Sequence, residues 1–214
     1  LEGGDFKAQF IAQFLNFLII PFVAFFIGKV FFKDYPYLAL GILLTALVPT
    51  SGMTISWTGF AKGNLELAVK MTVFGLTFGS LATPFYVKFL MGRSIEIDLI
   101  NVFKQILVIV FIPMVAGYLT QEYLIKKYGQ KTFQEKWAGK IPLFSTIGVL
   151  GIVFIAIALK AKSILNAPGL FFIILIPLSI LYALNYIIST ILGKWFLKKG
   201  DAIALVFGTV MRNL

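Results

Sequence analysis

The chain has 214 residues, 59% of them hydrophobic and 13% charged, with a formal net charge of +10 and a mean hydropathy of +0.94. Soluble domains carry about 25% charge and about 45–50% apolar residues, so this is the composition of a polytopic integral membrane protein. Cysteine and histidine are absent, which excludes disulfides, thiolate metal sites, cysteine nucleophiles and imidazole chemistry; with no deep carboxylate pair either, an enzyme is not expected.

Apolar runs of about 20 residues bounded by charge, Gly or Pro mark membrane helices. Segment A (7–33) carries Gln13, Asn16 and Pro21 in an otherwise apolar wall. Segment B (37–62) is interrupted about 14 residues in, near the membrane middle, by Pro49-Thr50-Ser51-Gly52 followed by Thr54 and Ser56. Irregular backbone survives at that depth only where it faces protein or a polar cavity, which points to transport. Segment C (65–91) contains Thr72, Thr77, Ser80, Thr83 and Pro84, and segment D (98–125) contains Pro113 and Gly117, both expected to bend it. Between 126 and 140, lysines alternate with Tyr128, Phe133 and Trp137, the pattern of a helix lying on the membrane surface. Segments E (141–160) and F (169–198) follow, F with Pro177, Ser179 and Asn185 inside. A last segment (202–214) starts a second broken helix, with its break expected at Gly208-Thr209 and with Arg212 and Asn213 beyond. With no initiator Met and an end inside an apolar run, the chain is expected to be a fragment of a longer membrane domain.

Lys7, Lys62, Lys70, Lys126, Lys127, Lys131, Lys136, Lys140, Lys194, Lys198 and Lys199 fall on one side of this arrangement. The positive-inside rule makes that side cytoplasmic, so the loops after B, D and F are expected inside the cell and nucleic acid is not an expected partner. Segment A with broken B, and segment F with the last segment, have the same plan and enter from opposite sides. They read as an inverted repeat, whose interface is where transporters bind substrate.

Three features converge at one depth. The hydroxyls Thr50, Ser51, Thr54 and Ser56 surround free backbone at Gly52, where one half-helix end offers carbonyls to a cation and the next start offers N–H groups to an anion. Asn16, Thr72 and Asn185 lie on neighbouring segments. Arg212 lies about 11 residues into its segment, where a charge costs roughly 2.5–3.5 kcal/mol and needs a partner. That partner is an anionic ligand, a carboxylate on a missing helix, or carbonyls at a break. Placed in the first turn of a second half-helix, Arg212 would oppose the helix dipole, which favours a bound anion.

The stretch Pro49-Thr50-Ser51-Gly52, then Trp57, Ala61-Lys62-Gly63-Asn64 and Thr83-Pro84, resembles the fourth and fifth helices of the bile acid:sodium symporter superfamily, which includes arsenical-resistance efflux proteins. The run Phe207 to Leu214 resembles its ninth, and the likeness extends from the third helix to the middle of the ninth of ten. The resemblance implies an all-α inverted-repeat carrier with two crossing broken helices, core and panel domains, and alternating access. It also implies ion-binding candidates at Asn16, Thr54 and Thr72. The family pattern has Asn where Ile55 stands, and a Glu near the position of Gly208; here the charge is Arg212 instead. The expected substrate site is therefore Thr50, Ser51, Gly52, Ser56, Gly208, Thr209, Arg212 and Asn213, binding a small organic anion without sodium coupling. A sodium-coupled symporter, a metalloid efflux carrier and a channel or receptor-like bundle remain alternatives. No cofactor is expected beyond sodium or proton coupling, and the expected location is a prokaryotic plasma membrane.

Overall fold

The computed structural model of the chain describes residues 3–92, 100–101, 104, 107–133, 136, 141–166 and 168–212. It divides into two compact units, 1–102 with 172–214, and 103–171.

In the first unit, α1 (Gly3–Phe14) and α2 (Ile20–Phe31) are joined by a π-helical turn, Leu15–Ile19. The turn has a local cause. Pro21 has no N–H, so the Phe17 carbonyl four residues earlier loses its helical donor. The Tyr86 hydroxyl donates to it instead. This wide turn carries Asn16, which is wholly buried.

Helix α3 (Pro36–Leu47) begins on a proline whose missing N–H has no helical use at that position. It stops before Pro49, because the residue preceding a proline is pushed out of the helical region. Helix α4 (Gly52–Phe60) restarts with Ser51 extended as its N-cap, and the Ser51 N–H donates to the Thr54 hydroxyl at 3.4 Å. Helix α5 (Leu65–Met91), capped by the Asn64 side chain, passes directly beside this break. A Cβ at Gly79 would lie 2.7 Å from the Leu47 carbonyl oxygen, and one at Gly75 would lie 3.1 Å from the Thr50 side chain. Glycine is what lets α5 approach the interrupted backbone so closely.

Helix α8 (Pro168–Phe196) enters this unit at Phe172 and is followed by α9 (Lys199–Val210). The hairpin of α8 and α9 repeats a contact of the hairpin of α2 and α3. A Cβ at Gly28 would sit 3.2 Å from the Ala39 Cβ, and one at Gly193 would sit 3.1 Å from the Ala202 Cβ. The turn before α9 is tied to the turn after α4: the Asn64 N–H donates to the Gly200 carbonyl at 3.0 Å and the Asn64 amide to Asp201 at 2.8 Å. One apolar cluster, including Ile20, Leu43, Leu47 and Val87, packs α2, α3 and α5 together. A second, including Leu15, Leu67, Met71 and Leu205, joins α1, α5 and α9.

One expectation is corrected. The second break does not fall at Gly208-Thr209, since α9 runs through both residues to Val210. Gly208 serves close packing instead, its Cβ position lying 3.0 Å from the Met71 sulfur. The Thr209 hydroxyl bonds back to Leu205 and Val206 within the helix. The helix ends at the next residue, Val210.

In the second unit a π-helical turn, Leu107–Phe111, leads into α6 (Ile112–Tyr128), with Pro113 in the first turn of α6. Gly129, at φ +80°, takes the left-handed conformation that glycine tolerates and separates α6 from the single turn Gln130–Thr132. Helix α7 spans Ile141–Asn166. Residues 134–135 and 137–140 of the expected surface helix, and 93–99 around the start of segment D, lie outside the described residues. Among the described residues three helices are long and apolar enough to cross a membrane: Phe6–Phe31, Leu65–Met91 and Gly169–Phe196.

Candidate functional site: the meeting of two half-helix ends

The last carbonyls of an α-helix have no partner inside it, and at the end of α9 each finds a different one. The Phe207 carbonyl accepts from the Met211 N–H at 3.1 Å and from the Thr54 hydroxyl of α4 at 3.4 Å. The Gly208 carbonyl accepts from the Asn16 amide at 3.2 Å. The Thr209 carbonyl accepts from the Asn185 amide of α8 at 2.6 Å, and the Val210 carbonyl from the Arg212 N–H at 2.9 Å. Side chains from the π turn, α4 and α8 therefore converge on one helix end. Ser189 completes the network, lying 2.7 Å from the Thr209 hydroxyl and donating to the Asn185 carbonyl at 2.6 Å.

Arg212 stands just past this end, only 7% exposed. Its Nη1 donates to the Ala46 carbonyl, in the last turn of α3, at 2.6 Å, and its Nη2 to the Asn16 Oδ1 at 3.2 Å. Its Nε is buried without a partner among the described residues. Among the described residues Arg212 has no carboxylate partner, so of the partners expected for it these residues supply a carbonyl at the first break, joined by an amide oxygen. The expectation that it opposes a helix dipole concerns a half-helix beyond Arg212, which lies outside the described residues. Arg212 follows the C-terminus of α9 and touches the C-terminus of α3, each equivalent to roughly half a negative charge, where a cation is favoured.

Thr50 is wholly buried and its hydroxyl donates to the Thr72 carbonyl at 3.3 Å, while the Thr72 hydroxyl turns back to Ala68 at 2.8 Å. Ser51 and Gly52 form the start of α4, and Ser56 is exposed on its open side. Asn213 lies outside the described residues. The structure thus gathers Asn16, Thr54, Gly208, Thr209 and Arg212 into one network and leaves Ser56 apart. Sequence reading noted Asn185 but not Ser189, although the two are one turn apart on a single face of α8, the signal that finds such a pair. It also missed Tyr182, a half-buried residue within electrostatic reach of the Arg212 guanidinium.

A model of the sodium bile acid symporter family matches residues 4–167. The chain belongs to that family. Like other sodium bile acid symporter family members it is an all-α polytopic membrane protein, of a family of transporters rather than enzymes. It is 25% identical over 212 residues to the uncharacterized protein YbaS of Bacillus subtilis, covering 95% of this chain and 65% of that protein. It is 26% identical over 181 residues to the arsenical-resistance protein Acr3 of Alkaliphilus metalliredigens, covering 77% and 49%. The uncharacterized sodium-dependent transporter YocS of Bacillus subtilis is 25% identical over 217 residues, covering 97% and 65%. The chain thus spans about half to two thirds of the length of these relatives.

Proposed function

We propose that this chain supplies the binding centre of a secondary carrier that moves a small organic anion across a membrane by alternating access, without sodium coupling. The observation that carries this is the guanidinium at the joint C-termini of α3 and α9. In carriers with broken helices, such ends and unwound carbonyls coordinate sodium, while half-helix N-termini point at anionic substrate. Here the Ala46, Gly208 and Thr209 carbonyls already accept side-chain donors, and the Asn16 amide oxygen accepts from Arg212. Arg212 acts as a built-in cation. The anion is left to the first N–H groups of α4, flanked by Ser51, and to the free Nε of Arg212.

The paired contacts Gly28 with Ala39 and Gly193 with Ala202 support the inverted repeat, with the turns at 62–64 and 198–201 on the cytoplasmic side of a prokaryotic plasma membrane. Lipid and the solute are the partners this reading requires. Radiolabelled uptake into proteoliposomes tests it: transport is expected at equal rates in sodium and potassium media and is expected to collapse in Arg212→Ala. Strict sodium dependence, or unimpaired transport by the variant, refutes it. Metalloid efflux is the second reading, favoured by the likeness to Acr3 and by Trp57 after the break; a thiophilic substrate would find no cysteine in this chain. Arsenite resistance conferred on a sensitive host would favour it.

A further inference from the structure

Asn16 is the last of three amides along one face of the first long helix. Gln9, Gln13 and Asn16 follow at i, i+4 and i+7, so they form a stripe that runs from the first turns of α1 to the Arg212 network. Asn16 spends its amide on the Gly208 carbonyl and its oxygen on Arg212. The two glutamines are not so engaged. Gln9 makes one long bond, 3.5 Å from its Nε2 to the Lys70 carbonyl of α5, while its Oε1 and both polar atoms of Gln13 are buried without a partner among the described residues. Hydrocarbon supplies no hydrogen bond, so bare amide atoms at this place call for something that does.

The two glutamines border a space. A cavity of about 270 Å³ lies between α1 and α5, with Gln9, Gln13 and Lys70 in its wall and phenylalanines, Phe10 and Phe74 among them, completing the lining. The Phe10 and Phe74 rings are exposed at its rim. At the Lys70 end the ammonium pairs with Glu66 at 2.6 Å, and the Glu66 side chain is 75% exposed, which marks this end as the wet one. An acyl chain would fill the volume and leave all three amide atoms unpaired. Water satisfies them, because it both donates and accepts, and a buried water needs about two to four polar partners. At about 30 Å³ per molecule in the liquid, the cavity has room for a cluster.

We propose that this cavity is an aqueous inlet: water enters past Lys70 and Glu66, bonds to Gln9 and Gln13, and stops three residues, about 4.5 Å along the helix axis, short of Asn16. The Arg212 network then has a wet neighbour on its α1 side, whatever solute the carrier moves.

The chain has no cysteine, so a single introduced thiol is the only one to label. Gln13→Cys and a dry control, Ala12→Cys, at a position wholly buried among apolar side chains, are reconstituted in leaky proteoliposomes. Each is treated with a trimethylammonium methanethiosulfonate or with its uncharged methyl analogue. The thiolate is the reacting species and apolar surroundings suppress it, so the charged reagent should modify Gln13→Cys at least about 10-fold faster than Ala12→Cys. Labelling of Gln13→Cys by the uncharged reagent alone, the mark of lipid or another segment in the cavity, overturns the proposal, and so does labelling by neither. The unsubstituted protein gives a second reading that no substitution can disturb. Hydroxyl radicals made by X-ray radiolysis of resident water should oxidise Phe10 faster than Phe26, although the two are similarly open, at 64% and 67% exposure. Equal oxidation of the two rings overturns the inlet.

Discussion

Replacing Asn16 with Leu tests the network at its hub. Leucine has the same number and branching of side-chain heavy atoms as asparagine but serves neither of its bonds, so the Gly208 carbonyl loses its side-chain donor and the Arg212 Nη2 loses its acceptor, both in buried surroundings. A bond to a charged group contributes about 1.5–3 kcal/mol and an orphaned buried carbonyl costs about 1–3 kcal/mol, together about 2.5–6 kcal/mol. Neutral interhelical bonds in membranes average only about 0.6 kcal/mol, because the unfolded chain also finds partners there. The expected loss therefore lies near the lower end, about 3 kcal/mol. Unfolding in mixed micelles of increasing SDS content, followed by far-ultraviolet circular dichroism, measures it. Arg212→Met and the double variant complete the cycle and isolate the coupling between the two residues. A loss no larger than about 1.2 kcal/mol, the worth of two neutral bonds, would mean that Asn16 does not hold a buried charge, and the account of Arg212 as a built-in cation would fail.

Further outcomes follow from neighbouring features. Thermal unfolding of Arg212→Ala should shift upward with guanidinium ion at low millimolar concentration while the unsubstituted protein does not respond, since the small cation can reoccupy the place between the Ala46 carbonyl and Asn16; an unresponsive variant counts against a cation-shaped site. Gly79→Ala should destabilise by about 1–3 kcal/mol, because its Cβ meets the Leu47 carbonyl at 2.7 Å, whereas Gly151→Ala, with nothing within 4 Å, should be neutral or stabilising by up to about 1 kcal/mol; equal effects at the two sites would contradict the close approach of α5. Tyr86→Phe should cost about 1 kcal/mol by leaving the Phe17 carbonyl bare. That cost should shrink in a Pro21→Ala background, where a backbone N–H returns, and chemical denaturation of the four proteins reads the difference.

The first break was legible because Pro49 forbids helix before it and hydroxyl residues gather around it, both local chemical facts. The second was not, because no proline marks it. Gly208 looks like an interruption only until Met71, on a helix more than a hundred residues earlier in the chain, is seen pressing against it. The depth of Arg212 could be counted from the sequence, but not that its guanidinium would reach the last turn of α3, whose Ala46 carbonyl lies 166 residues earlier. Pro21 announced a distortion in the first long helix. What the sequence withheld was the π turn and the remedy for the freed carbonyl, since Tyr86 is 69 residues away. The oxygen-bearing side chains Asn16, Thr54 and Thr72 could be picked from the sequence, but not the groups that receive their hydrogens. Here the Thr54 and Thr72 hydroxyls donate to backbone carbonyls, and the Asn16 amide does the same while its oxygen accepts from Arg212.

The side chains that close the end of α9 are covalently attached to other helices, and this changes what can unlock it. A joint held by a diffusible ion opens when the bath is depleted of that ion. One held by Asn16, Asn185 and Thr54 opens only when the π turn, α8 and α4 bend away. On the sodium-independent reading proposed above, any rearrangement here is paced by the breathing of the chain itself, so temperature, rather than the salts outside, becomes the variable that sets its tempo.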